Sequence, residues 1–524
     1  MKKLKRYVPK IYLGSELLYN FNRAIRFEWI VTNGLGGYAS STVLNINTRK
    51  FHGLLFVAFN PPVSRHLLLS KIDEEIQVGN DRFPLNSNEF RDKVYPEGYK
   101  NLKSFALQPF PTFHYQIHEV YMRKEVFMPH LKSMVIIIYE VFNVLNDDIS
   151  MNLYPLVNMR HFYETTDKND LQFSQSQIPN GVMLESHPNT GYLAIFSTIG
   201  KYIPNRNIWI ERIYFRTDDS RGEDCLDDNY QPGFFQINLP PKKISRFHVV
   251  AIGGKRKEEV NLLFSAASER RFLKNLYLEE INRREKLLKR FYEEKAEVKQ
   301  EDWLDWLILS ADSFIVNRKT TGKKSIIAGY HWFEDWGRDS LIALPGLTLI
   351  TGRFRDAEEI ILNFKQYCRS GLMPNRFPDK SGDEPVYDSV DATLWFFNAV
   401  LQYLKYTGNF DFVAITLTKP GIGAVLKVSD VFPWDTHQFT ANSVHRNDVE
   451  TGESNLMINW STTTGSVAFH AFGTVENTEI WCSPGCHHEL VVVDHLGRHF
   501  VIFKCVHFCL VVNIEIRAFH RHAH

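Results

Sequence analysis

Short runs of alternating or clustered apolar residues recur through residues 1–255, with turn-forming residues between them. Leu54–Phe59, His66–Ile72, Val120–Met128, Ser133–Val144, Tyr192–Ser197 and Phe247–Ile252 are such runs. A period of two puts one face of each segment inside, and runs at this spacing predict an antiparallel β-sandwich. Gly253-Gly254 closes the last run, and the period then changes. Over 257–298 the apolar positions Leu262, Leu263, Phe272, Leu276, Leu278, Ile281, Leu287, Leu288 and Phe291 stand among many charges. That pattern, with few breakers, predicts one long linker helix. From Asp302 helical periods alternate with Gly/Pro-rich segments. Helices are predicted over Trp303–Val316, Ser340–Leu349, Phe354–Cys368 and Ser389–Tyr406, with loops at Lys323–Arg338 and Gly371–Val386. The predicted organisation is a β domain over 1–255, a helical linker over 256–300 and an all-α region over 301–412.

Composition changes this picture at one place. The chain has 524 residues with 61 basic and 60 acidic side chains, so the electrostatic case for nucleic acid or an anionic membrane as main partner is absent. Residues 1–412 hold 54 Lys/Arg, 50 Asp/Glu, 9 His and 2 Cys, whereas 413–524 hold 7, 10, 11 and 4. The tail is therefore poor in charge and rich in His and Cys. Two Cys in the first four-fifths fit a reducing compartment. Met1–Arg6 is basic, but Tyr-Val-Pro-Lys-Ile-Tyr follows where a signal peptide needs an apolar stretch, and no long apolar run occurs. A cytoplasmic protein is expected.

Two segments carry candidate chemistry. In Ala328–Pro345, Tyr330, Trp332, Phe333 and Trp336 surround Glu334, Asp335, Arg338 and Asp339. Aromatic faces stack on the C–H face of a pyranose, and Arg with carboxylates forks onto vicinal hydroxyls. The structural alternative is a loop packed on aromatics, with an Arg–Asp ion pair and Asp339 as a helix cap. In Gly371–Trp395, Asn375, Arg376, Asp379, Asp383, Glu384 and Asp388 crowd a loop, and Asp391 opens the next helix. Ser389 and Asp391 could each be a capping residue, and for Ser389 that is the better reading. Leu394, Trp395 and Phe396 follow Asp391 closely, and a carboxyl desolvated by such neighbours stays protonated near neutral pH, as a general acid at a glycosidic oxygen must.

Other signals are weaker. Asn33-Gly34-Leu35-Gly36-Gly37 looks like a phosphate loop but lacks a βαβ context, so a turn in the sandwich is expected. His52 and His66 are expected to be core or hydrogen-bonded residues. Cys482, Cys486, His487, His488, Cys505 and Cys509 approach zinc spacing without other features of a zinc module, so no metal site is assigned.

The residues also resemble a known family. EWIVTNGLGGYASSTV, NTRKFHGLLFVAFNPP and LLLSKIDE, within Glu28–Glu74, are similar to the N-terminal domain of bacterial and archaeal glycogen debranching enzymes. GYHWFEDWGRDSLIALPGL, GLMPNRFPD and YDSVDATLWFF resemble the amylo-α-1,6-glucosidase domain of the same family, an (α/α)6 barrel related to glucoamylases. The resemblance covers roughly residues 20–412. It implies inverting hydrolysis of α-1,6-linked glucose at branch points of glycogen or a limit dextrin. It also implies Asp391 as general acid and Arg338 and Asp339 as the pair gripping the terminal glucose. Trp332, Trp336 and Trp395 would line the pocket, with Asp335, Asn375 and Arg376 beside it. No metal or organic cofactor is called for.

After Phe412 the expected barrel helices and the general base do not follow. Instead 413–524 shows β-leaning runs such as Leu490–Val493 and Val501–Ile516. Three accounts are open: a change of reading frame near codon 412, an appended β or metal-binding module, or divergence of the barrel. The first accounts for the joint change in charge, His and Cys, and leaves an incomplete barrel. The functional alternatives are a glucoamylase-like α-1,4-glucosidase and a non-catalytic glycan-binding remnant.

Overall fold

The computed structural model describes residues 9–187, 191–369, 372–378, 383–389 and 391–417, and beyond these the backbone of six strands between Leu456 and Ile514. The chain forms two compact units, Met1–Asn363 with Arg376–Val386 and Phe364–Asn375 with Tyr387–His524.

The first unit contains two large antiparallel sheets. One has nine strands and runs from Ile11–Leu13 at one edge, through Met134–Asn143 and Lys243–Gly254 near its centre, to Gln172–Ile178 at the other edge. The other runs from Lys201–Tyr214 through Leu226–Leu239, Ile149–His161, Val63–Val78, Gly53–Asn60 and Tyr38–Thr42 to Glu28–Thr32. The expected sandwich is present.

The apolar run Met134–Ile138 shows why strict alternation is lost at the centre. Val135, Ile137, Tyr139 and Val141 point into the core that also contains residues of the other sheet, such as Leu69, Ile72 and Phe235. Met134, Ile136 and Ile138 point the other way, onto Val260, Ala267, Leu273, Leu276 and Ile281. A strand covered on both faces must be apolar on both. The covering helices are Lys257–Ala267 and Arg270–Glu294, so the linker is two helices with a break at Ser268–Glu269 rather than one. The far end of the second packs Leu288 and Phe291 on Ile308 and Leu309 of the helix Asp302–Ser313. Arg283 bridges Glu280 at 2.9 Å and Asp312 at 2.6 Å, and Arg353 joins Asp312 at 2.6 Å and Asp356 at 2.5 Å. Asp312 is largely enclosed, which alone would raise its carboxyl, but the two guanidiniums hold it far below the usual range.

Inside the sandwich Lys124 and Glu74 form a fully buried ion pair at 2.5 Å, with the Tyr139 hydroxyl donating to the same oxygen at 2.8 Å. Asn33–Gly37 is a turn between two strands, as expected: Asn33 N–H donates to Gly37 O, and Gly34 and Gly36 have φ of 72° and 87°. A Cβ on Gly36 would lie 2.3 Å from Pro62 O.

The helices after 302 are Asp302–Ser313, Gly337–Leu344, a wider turn over Pro345–Leu349, Phe354–Gln366, Ala392–Thr407 and Phe410–Leu417. The region predicted as a loop from Lys323 begins instead with a strand, Lys323–Ile326, paired with Ile315–Arg318. Gly408, at φ 64°, ends Ala392–Thr407 in the left-handed conformation and donates to Leu404 O. Leu456–Thr462, Gly465–Thr474 and Asn477–Cys482 form one antiparallel sheet, and Glu489–Asp494, His499–Cys505 and Phe508–Ile514 another. The side chains of the Cys/His group lie outside the described residues. Among the described residues no helix is long and apolar enough to cross a membrane.

Candidate active site

The hairpin Ile315–Arg318/Lys323–Ile326 delivers the chain into the aromatic loop. Ser340 Oγ donates to Ile326 O at 3.1 Å and docks the helix Gly337–Leu344 behind it. The sandwich holds the loop in front. Arg65, fully buried, donates to His331 O at 3.3 Å and Phe333 O at 2.5 Å, with its guanidinium 4.2 Å from the Phe162 ring centroid. Ser64 N–H donates to Glu334 at 3.3 Å, and the Tyr163 hydroxyl donates to Trp332 O. Tyr330 and Trp332 pack against Tyr38, Phe51, Phe56 and Phe162.

The expected site residues in this unit have distinct surroundings. Trp332 is half-buried, edge-on to Phe51 at 5.8 Å, with the guanidiniums of Arg49 and Arg221 at 5.0 and 4.7 Å from its ring centroid. Asp335 is buried, and both its oxygens accept from Arg318 Nη1 at 2.7 and 2.9 Å. The ion pair of the structural alternative is thus present, but its arginine is Arg318. Trp336 bridges Arg376 through the backbone, with that guanidinium 5.4 Å from its ring. Arg338 and Asp339 are exposed in the first turn of Gly337–Leu344, where a carboxylate is favoured by the helix dipole; the cap position is Trp336, not Asp339.

The second unit contains Asn375, Asp391 and Trp395. Asn375 Nδ2 donates to Asp388 at 3.0 Å, and Met373 N–H donates to Thr393 Oγ1 at 3.0 Å, tying the loop to the first turn of Ala392–Thr407. Asp391 occupies the cap position with helical backbone angles, and its side chain makes no capping hydrogen bond. Its Oδ1 accepts from Ser389 Oγ at 2.7 Å. Ser389, expected to cap the helix, orients the Asp391 carboxyl instead. Trp395 is half-buried one turn on, and its N–H donates to Asp391 O at 3.0 Å. Asp379 lies outside the described residues.

Sequence reasoning missed a cluster between sandwich and loop. Glu28, His52 and His331 bring ligand-type atoms within 4.8 Å of one another. Hydrogen-bond accounting tests whether a metal fits. Ser40 Oγ gives its proton to Trp29 O at 2.7 Å, so at 2.8 Å it accepts from His331 Nε2–H. Thr48 N–H donates to His52 Nδ1 at 3.1 Å, so His52 carries its proton on Nε2, 3.6 Å from Glu28 Oε2. The free lone pair of His52 is already used, and the three groups do not fit a metal. Burial pushes His331 down to about 3, keeping it neutral. Burial would raise Glu28, but His52 and Arg49, whose Nε lies at 2.8 Å, hold it at about 2. The expectation that His52 and His66 are hydrogen-bonded residues holds; His66 Nδ1 is 2.9 Å from Ser64 O. Polar residues beside apolar runs, Glu28 at the start of Glu28–Thr32, His52 just before Gly53–Asn60 and Arg65 within Val63–Val78, were the available signal for the missed contacts.

Two family models match the chain, "Glycogen debranching enzyme N terminal" over residues 28–244 and "Amylo-alpha-1,6-glucosidase" over residues 309–454. A glycogen debranching enzyme of Saccharomyces cerevisiae is 42% identical over 74 residues, which are 14% of this chain and 5% of that protein. Among solved structures, a bacterial glucoamylase complexed with acarbose aligns at 13% identity and TM-score 0.44, covering 74% of this chain and 56% of the other. A chain described as a kojibiose phosphorylase from the human microbiome aligns at 10% and 0.44, covering 78% and 57%. The two matched segments lie on a chain that spans 5% of the yeast relative and little more than half of each of these solved chains. It is a glycogen debranching enzyme-like protein, with that family's N-terminal domain ahead of its glucosidase domain.

Proposed function

We propose that the chemistry carried by these residues is inverting hydrolysis of α-1,6-linked glucose at glycogen or limit-dextrin branch points, on an (α/α)6 barrel of which 301–412 forms the first part. Asp391 is the general acid, giving its proton to the glycosidic oxygen as the bond to the leaving chain breaks. Ser389 fixes the carboxyl's rotamer, and Trp395 lines the pocket. Arg338 and Asp339, exposed at one helix start, grip the terminal glucose. Trp336 and Arg376 contribute to sugar binding, and Asn375 holds the loop through Asp388. Asp335 acts through Arg318, keeping the loop in place. An inverting reaction also needs a base about 6.5–9.5 Å from the acid, with water between them.

The observation carrying this reading is Asp391 itself, placed at a helix start in the family-matched segment and hydrogen-bonded by Ser389 rather than spent on the helix cap. Its test is glucose release from a phosphorylase limit dextrin by the chain and by Asp391→Asn, with glycogen binding measured in parallel. Relative rates on isomaltose-type and maltose-type ends separate this activity from a glucoamylase-like α-1,4-glucosidase.

A second reading, glycan binding without turnover, is favoured by one observation. Beyond Leu456 the backbone forms strands where a continuing barrel needs helices. It predicts glycogen affinity with no glucose released.

A further inference from the structure

The surroundings of Trp332 come from the sandwich and have a chemistry of their own. Arg49 pairs with Glu28 at 2.8 Å, and Arg221 pairs with Glu223 at 3.2 Å, both arginines lying over the Trp332 indole. The Tyr163 hydroxyl anchors the Trp332 backbone, and Tyr163 itself is 45% exposed beside the half-buried Trp332. The side chains of Arg221 and Glu223 are 48% and 31% exposed, so this is an open rim rather than a sealed interface. Its charges are matched: Lys50 pairs with Glu223 at 3.1 Å, and its backbone N–H donates to Asp218. A rim with unmatched cations would select an anion. Matched, oriented donors and acceptors beside aromatic rings suit a neutral polyol, because Arg forks onto adjacent hydroxyls, carboxylates accept from them, and ring faces take C–H surfaces.

We propose that this sandwich-borne rim is a saccharide subsite, taking a neutral glucan chain alongside the loop that holds Trp336, Arg338 and Asp339. Its ligand class rests on the glucosidase reading above. The sandwich would then do two things for the reaction, clamping the loop from beneath through Arg65 and His331 and holding the substrate chain at its edge.

The test is retardation of the full 524-residue chain in native gels of increasing glycogen content, which needs no turnover. Arg221→Ala removes a charged hydrogen-bonding fork and should weaken apparent affinity about tenfold. Arg221→Lys keeps the charge and the apolar stem but loses the planar fork, and should also bind several-fold more weakly; it carries the test if Arg221→Ala fails to fold. Arg246→Ala is the control, since Arg246 forms a surface pair with Glu140 at 3.9 Å on the nine-stranded sheet. It should migrate as the parent does. Parental retardation of folded Arg221→Lys, or an equal loss in Arg246→Ala, overturns the proposal. Glucose release with unaltered retardation of the Arg221 variants overturns only the rim. Undiminished release by Asp391→Asn overturns only the assigned acid.

Discussion

His331 links the sandwich to the loop, and its neutrality has a measurable consequence. Its ordinary value is 6.5, and burial pushes it down to about 3. Between those values the unfolded chain binds a proton at this position that the folded chain does not. Stability therefore rises with pH through the window: the contribution is complete above about 6.5 and is lost as pH falls toward 3. Integrating from pH 7 to pH 5 gives a loss of about 2 kcal/mol from this group alone. His130 and His248, each lowered to about 4 by burial, act with the same sign but are common to parent and variant. His331→Gln keeps an N–H for Ser40 Oγ and removes the titration. Urea unfolding of parent and variant at pH 7 and pH 5, followed by tryptophan fluorescence, measures the difference. The parent should lose about 2 kcal/mol more than His331→Gln over that interval. Parallel losses would show that His331 is not held neutral, and the tautomer assignment at Ser40 would fall with it.

Three further outcomes are expected. Arg318→Leu removes the two hydrogen bonds that the buried Asp335 carboxylate accepts from Arg318 and should cost about 3–5 kcal/mol in urea unfolding, with Arg318→Lys recovering part of it. Lys124→Met should cost a similar amount by removing the ion-pair partner of buried Glu74, whereas Lys124→Met with Glu74→Leu should regain most of it; equal losses in the single and double variants would refute the buried-pair account. Ser389→Ala should lower the rate of glucose release about tenfold with little change in glycogen retardation, a smaller effect than Asp391→Asn because it removes one hydrogen bond to the acid and not the acid itself.

The sandwich was legible because its strands alternate, and where alternation fails, at Met134–Ile138, the apolar run itself reports burial on both faces. The break at Ser268–Glu269 was not legible, since neither residue interrupts a helical charge pattern strongly. Asp391 and the Trp-rich loop stood out as local clusters of chemistry. Their supports did not. Arg318 lies 17 residues from Asp335, Arg65 lies 266 residues from His331, and Ser40 lies 291 residues from it. Such pairings are made by tertiary packing, and a single sequence gives no periodicity by which to read them. Ser389 was misread for a related reason: a serine just before a helix has a capping prior, and only the geometry shows its hydroxyl turned to Asp391.

The most direct test of the central claim is the anomer of glucose first released from a phosphorylase limit dextrin, followed by proton NMR. The account predicts β-glucose, as inversion at an α-1,6 linkage requires, and its disappearance in Asp391→Asn with glycogen binding retained. First-formed α-glucose, undiminished release by Asp391→Asn, or binding with no release by the chain itself would contradict it.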